Sequence, residues 1–515
     1  MEKLKFLNCD IVQPRLYQEL VASTGVTKNT LCILPTGMGK TLIAVMVASY
    51  RLEKFPESKI LMLAPTRPLV NQHAKTFKKL MKLKEEEFVA LTGKVHVEDR
   101  KILYLKGKLF FATPQLIKND IENKILDLKN YSLVIVDECH RSRKNYAYTT
   151  VINNYVEQAS NQRILGLTAS PGNIKDKIDE VKKNLRIEAV EIRTEKDVDV
   201  EPYIQETKVE RIYVELPEEF RKIRRYLEEA YRNRLNWLMK SHLIYSMKVS
   251  KKHLLELQKE IGEMYEQNKD FMVARALTTC AQTIKIEHAI ELLETQGITP
   301  LYKYFLDLQK NKKSAATRNV LNDENAIKAI KETKELFLKG IEHPKLQALI
   351  ELIKKEVKNK PNTKIITFAN YRSSTEKIAK ILESNGISAR EFIGQAIKNG
   401  RGLKQKEQIE MLNEFKYELF NVLVATSIGE EGLDIEEVNL VIFYEPVPSE
   451  IRSIQRRGRT GRTKAGRVVF LITKGTRDEG YYWSAYYKEK KMRDILYEMK
   501  EKDTKMDNTL FKWAK

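Results

Sequence analysis

Five short runs without a polar side chain, LCIL (31–34), ILMLA (60–64), LFFA (109–112), LVIV (133–136) and ILGL (164–167), recur through the first 194 residues. Each is too short for a helix and too uniformly apolar for a strand with one wet face, so each predicts a strand buried on both sides. The stretches between them, such as 42–52 and 69–83, have the length and amphipathic pattern of crossover helices. Strand, helix and strand in this alternation build a parallel sheet covered on both faces. The alternation returns after EHPKLQALIELI (342–353), with KIITFA (364–369), NVLVA (421–425), LVIFY (440–444) and RVVFLI (467–472) as strands.

The intervening chain has another character. No proline interrupts it from Pro217 to Pro300, and its charged amphipathic segments predict an all-helical insert; VERIYVEL (209–216) is the last strand-like piece before it. The expected fold class is therefore α/β, two parallel-sheet domains with a helical insert between them. The expected partition is 1–204, 205–335 and 336–500, followed by a tail at 501–515; the charged chain after Tyr481 predicts a helix with a loose end.

Charge narrows the partner. Lys and Arg exceed Asp and Glu by 21 in 515 residues, a surplus suited to a polyanion. Between 221 and 252 ten Lys and Arg stand against only Glu228 and Glu229. Arg224, Arg225 and Arg232 in this window are candidates to grip nucleic acid, the alternative being a solvated helix face. No apolar run approaches the roughly 20 residues that a bilayer crossing needs, and the start has no secretory segment, so a cytoplasmic protein is expected. Cys9, Cys32, Cys139 and Cys280 are scattered without a C-x-x-C pair, which fits a reducing compartment.

PTGMGKT (35–41) follows the first strand and opens a helix, the context in which a glycine-bearing turn closes on phosphate. Pro35, Thr36, Gly37, Met38 and Gly39 would form the cradle, Lys40 would reach the β and γ phosphates of ATP, and Thr41 would hold Mg²⁺. Leu34 stands where the full pattern has glycine. At the end of LVIV, Asp137 and Glu138 emerge at the C-terminal edge of the sheet, where parallel sheets bind ligands. Asp137 suits the Mg²⁺, and Glu138 suits the base that polarises the attacking water. Cys139 and His140 lack the further ligands that zinc needs. Cys139 is then a buried filler, while His140 either couples the nucleotide to the neighbouring domain or only satisfies local hydrogen bonds.

These motifs and others along nearly the whole chain resemble those of superfamily 2 helicases, which implies two RecA-like domains. PRLYQ (14–18) resembles the adenine-reading Q motif, implying that Gln18 takes the base edge of the nucleotide with Arg15 and Tyr17 beside it. APTRPLVNQ (64–72) and ATPQL (112–116) resemble motifs Ia and Ib, and TASP (168–171) motif III. TFANYRSS (367–374), ATSIGEEGLDI (425–435) and QRRGRTGR (455–462) resemble motifs IV, V and VI. The resemblance implies nucleic-acid contacts at Arg67, Thr113, Pro114, Thr367 and Thr426. It also implies a ribose contact at Asp434, a water-positioning role for Gln455, and arginine fingers at Arg459 and Arg462.

DECH (137–140) with a helical insert resembles the archaeal Hef and Fanconi anaemia M-type helicases. That implies a DNA translocase acting on branched or forked DNA, with a thumb-like insert on the duplex. Archaeal members also carry a C-terminal nuclease domain, and no acidic nuclease constellation follows Tyr481. Two alternatives stay open: a duplex-RNA translocase like the Dicer and innate-sensor helicases, and an ATP-gated clamp without turnover.

Overall fold

The computed structural model describes residues 4–93, 95–205, 207–395, 402–426, 438–458, 460 and 466–513. In chain order the first seven strands are β1 (Thr30–Ile33), β2 (Lys59–Leu63), β3 (Phe88–Leu91), β4 (Leu109–Ala112), β5 (Tyr131–Val136), β6 (Ile164–Thr168) and β7 (Ala189–Ile192). They form one parallel sheet in the order β3-β4-β2-β5-β6-β1-β7. The five apolar runs of the sequence supply its interior, and β1, β4, β5 and β6 are buried at every residue. The unanticipated strands β3 and β7 are its two edges.

The second parallel sheet contains β8 (Thr207–Val214), β9 (Ile365–Phe368), β10 (Ala389–Phe392), β11 (Val422–Ala425), β12 (Leu440–Phe443) and β13 (Gly466–Thr473). Its order is β10-β11-β9-β12-β13-β8. Here β8 differs from expectation: it pairs with β13 along all eight of its residues and so belongs to the rear sheet rather than to the insert. Its alternation of half-buried and exposed residues is that of an edge with one wet face, and Arg467 of β13 holds Glu210 of β8 at 2.8 Å. The chain therefore visits the rear sheet before the insert begins at Glu218.

The insert comprises helices Glu218–Lys240, Lys251–Gln267, Phe271–Thr295, Ile298–Lys310, Ala315–Leu321 and Glu324–Leu338. Phe220, Ile223, Leu227 and Ala230 recur at helical spacing and pack with Ile286, Ile290 and Leu293 of the long central helix. The Phe, Ile and Leu side chains among these each contribute about 1.5–3 kcal/mol when fully buried. Asp270 caps the central helix by accepting from the amides of Met272 and Val273. Arg234, one of the ten basic residues of the window, is buried and donates to Gln282 and Asp323, each at 3.0 Å.

The last helix runs unbroken from Arg477 to Trp513, so the expected boundary at 500 falls inside it. It leaves the rear sheet at Asp478, whose carboxylate meets Lys345 at 2.8 Å with both side chains wholly buried. It then lays Met492 and Leu496 into the core of the front lobe. Among the described residues no helix is long and apolar enough to cross a membrane.

Candidate nucleotide site and nucleic-acid face

The phosphate loop leaves β1 and enters helix Lys40–Lys54 through Gly37 and Gly39, with φ of 81° and 78°. Such values are free of strain only in glycine. Gly39 is doubly constrained, because a Cβ there would stand 2.3 Å from Nε2 of Gln18. That amide donates to the Met38 carbonyl at 3.1 Å, and the Tyr17 hydroxyl donates to the same oxygen at 2.9 Å. Oε1 of Gln18 in turn accepts from the backbone amide of Arg15 at 2.9 Å. The Q-motif stretch thus clamps the phosphate loop, and both ends of Gln18's amide are engaged by backbone. The Arg15 guanidinium lies 3.9 Å from the ring centroid of Tyr203. Tyr203 carries no motif, and sequence reasoning missed it. Lys40 Nζ donates to the carbonyls of Leu34 and Pro35, at 2.9 and 3.0 Å.

Asp137 follows β5 and its Oδ2 meets Nε2 of His73 at 2.8 Å, both groups buried. Burial is the strongest influence on its carboxyl and opposes ionisation. The charge and hydrogen bond of His73, with Lys40 nearby and the Glu138 amide, outweigh it and hold the acid below its ordinary range. His73, on helix Arg67–Leu80, is a second residue that sequence reasoning passed over; its helical position identifies no partner 64 residues away. Glu138 adopts a left-handed backbone conformation, φ 47° and ψ 46°, a strained geometry for a side-chain-bearing residue. Its Oε2 lies 3.2 Å from Nδ1 of His140, which also lies 3.1 Å from Oγ1 of Thr168 in the TASP motif. His140 therefore joins the expected base to motif III. Cys139 is a buried filler, packed where Gly166 leaves space and with its thiol pKa pushed well up by burial.

Among the described residues no three His, Cys, Asp or Glu gather as a metal cage. The donors at hand, the Thr41 hydroxyl and the Asp137 carboxylate held charged, are oxygens. They fit Mg²⁺, which binds through one or two protein oxygens together with nucleotide phosphates. Bound there, Mg²⁺ would neutralise phosphate charge; Thr41 and Asp137 would hold it.

The rear lobe meets this loop through helix Glu450–Arg457, which ends at Gly458. A Cβ on Gly458 would approach Oγ1 of Thr36 to 2.5 Å, so the two lobes touch where Gly458 faces the phosphate cradle. Gln455 is buried in that helix. Asp434, Arg459 and Arg462 lie outside the described residues.

The expected nucleic-acid residues divide. Arg67 is exposed at the first turn of its helix, lying across Gly93, and Thr113 takes the N-cap position of helix Pro114–Glu122 while Pro114 itself is buried. Thr426 sits at the end of β11 with 8% exposure. Thr367 corrects the expectation: it is wholly buried within β9, a strand flanked on both sides, and has no surface to offer a polymer. Arg224 is likewise committed, to Glu228 at 2.8 Å, to buried Glu294 at 2.9 Å and to the Gly475 carbonyl at 2.9 Å, so it anchors the insert. Arg225, paired with Glu218 at 2.7 Å, and Arg232 stay on the exposed face.

Comparison with known proteins agrees with this geometry. Residues 13–177 match the DEAD/DEAH box helicase family, 344–464 the helicase conserved C-terminal domain, and 219–336 the helical bundle of a putative ATP-dependent RNA helicase family. The crystal structure of the Pyrococcus furiosus Hef helicase domain is 45% identical with a TM-score of 0.73, covering 93% of this chain and 100% of that one. A putative ATP-dependent RNA helicase of Methanocaldococcus jannaschii is 44% identical over 95% of this chain and 61% of its own length. The ATP-dependent DNA helicase mph1 of Sclerotinia sclerotiorum and the DEAD-box ATP-dependent RNA helicase FANCM of Arabidopsis thaliana are each 34% identical over 91% of the chain. The chain spans only 40% and 35% of their lengths.

Proposed function

Because the chain belongs to the Hef, Mph1 and FANCM type of superfamily 2 helicases, we propose that it is an ATP-hydrolysing DNA translocase that acts on branched or forked DNA. The observation that carries this reading is the contact of Gly458 with Thr36. It brings the end of the rear lobe's arginine-rich helix against a phosphate loop whose lysine and acids belong to the front lobe. A site split in this way ties nucleotide state to the closing of a cleft. Lys40 binds phosphate, Thr41 and Asp137 would hold Mg²⁺, Glu138 takes the proton of the attacking water, and Arg459 and Arg462 meet the developing charge on the γ-phosphate.

Arg67 and Thr113 on the front lobe and Thr426 on the rear lobe grip the strand, so closing the cleft shifts one grip relative to the other. Arg225 and Arg232 of the insert contact the duplex arm. ATP hydrolysis measured with forked DNA, linear duplex DNA and duplex RNA at one salt concentration tests the substrate. The fork is expected to stimulate most; preference for duplex RNA would overturn the fork assignment and leave the motor in place.

A further inference from the structure

The insert meets the rear lobe through a chain of buried and half-buried polar contacts that leads back to the phosphate loop. Gln296, at the end of helix Phe271–Thr295, is 4% exposed. Its Nε2 donates to Oε1 of Glu445, and its Oε1 accepts from the Ser374 hydroxyl. The other oxygen of Glu445 accepts from the Asn370 amide at 2.9 Å. Oδ1 of Asn370 accepts from Nη2 of Arg456 at 3.0 Å. Arg456 is wholly buried, its guanidinium 4.8 Å from the ring of Phe368 and 5.7 Å from that of Phe443. It stands on the helix that ends at Gly458, against Thr36.

We infer that Gln296 is the pin through which the helical insert sets the arginine-bearing helix of the rear lobe, a positioning residue for the nucleic-acid-stimulated reaction. The inference rests on the motor reading above and deepens it. Gln296, Ser374 and Glu445 are all out of water, so a shift of Gln296 strands partners on both sides at the cost of buried unsatisfied groups, while Asn370, the link to Arg456, is half-buried. The pieces therefore move together.

The chain around the pin has little slack. Gly297 has φ of 95°, and a Cβ there would come within 2.8 Å of His343 Cβ. The His343 ring Nε2 donates to the Glu294 carbonyl at 3.0 Å, and its Nδ1 accepts from the Lys345 amide at 3.2 Å. A second clamp lies alongside, where Arg477 of the last helix holds Glu294 at 2.9 Å and Glu287 at 3.2 Å. Force on the insert from bound nucleic acid is thus delivered to Asn370 and Arg456 rather than absorbed in a hinge.

A claim of transmission needs a coupling measurement. Basal ATPase, fork-stimulated ATPase and the fork Kd are measured at pH 8, where the Glu445 carboxyl is ionised, for the wild-type chain, Gln296→Ala and Glu445→Gln; the second variant keeps the volume and withdraws one of two acceptors. Expected are a fork Kd and a basal rate within about two-fold of wild type and a stimulation factor reduced at least about five-fold, the lower end of ordinary coupling. Should Gln296→Ala fail to fold, Glu445→Gln decides. Full stimulation in folded variants overturns the pin, as does loss of fork binding, which would make it part of the grip. Absence of fork stimulation in the wild type is a separate result: it overturns the motor reading itself.

Discussion

Asp137 and Glu445 each stand just past the C-terminal end of an interior strand, β5 in the front sheet and β12 in the rear one, and are 8% and 1% exposed. Burial opposes ionisation in both. Asp137 nevertheless stays below its ordinary range because His73 and Lys40 face it. Around Glu445 the nearest partners are amides, with Lys345 countered in part by Asp478, and burial wins, raising its pKa to about 7. The same strand-end position therefore yields an acid kept charged, ready for a cation, and an acid whose proton is retained to near neutrality inside a joint. The strand end fixes where a carboxylate sits; its neighbours decide whether it does chemistry or mechanics.

Of the two strand ends, the front one is proposed to carry the base for hydrolysis, and the most severe test is Glu138→Gln. With a general base contributing about 10²–10⁴ in rate, kcat for ATP should fall by that factor while ATP binding persists. Single-turnover hydrolysis together with nucleotide binding checks it. Turnover near wild type would erase the chemical half of the contrast.

The rear carboxylate makes a smaller prediction of opposite sign. Glu445 binds its proton more tightly in the folded chain than in the unfolded one, so its contribution is fully present below an unfolded value of about 4.3 and is lost as pH rises through about 7. Asp137 does the reverse, losing stability as pH falls below the ordinary carboxylate value. Glu445→Gln cannot titrate. Between pH 5 and pH 8 the variant's unfolding free energy should therefore gain on that of wild type by on the order of 3 kcal/mol, read by urea unfolding at each pH. A difference independent of pH would place Glu445 in the same charged state as Asp137.

What the sequence disclosed follows the same division between a position and its surroundings. Interior strands such as β5 and β12 are sealed on both faces and so appear as unbroken apolar runs. The edges β7 and β10 have wet or half-wet residues that break the run, and β8 showed as a strand without showing which sheet it joins. The phosphate loop was legible because its glycines and lysine act within seven consecutive residues. His73, Tyr203 and Gln296 were not, since each matters through a partner distant in sequence. Thr367 and Arg224 show the converse: a motif or a charge run names a residue type, while packing turned one into strand core and the other into an anchor on Glu294.

His73 offers the finest test of why Asp137 and Glu445 differ. It stands six positions after Arg67 on one helix, so the side chain that orients the acid proposed to hold Mg²⁺ is carried by the element that also presents an expected nucleic-acid contact. Removing it in His73→Ala leaves Asp137 buried with its main stabilising partner gone, and the acid should drift toward the condition of Glu445. Loss of an outer-shell partner typically costs 10–100-fold in metal affinity. The Mg²⁺ concentration for half-maximal ATPase should rise by about that factor, while kcat at saturating Mg²⁺ recovers most of its wild-type value. His73→Gln, whose amide can still donate to Oδ2, should restore most of the affinity. If the Mg²⁺ dependence is unchanged and only Tm falls, His73 is packing, and Lys40 with the backbone amide of Glu138 must keep Asp137 charged without it.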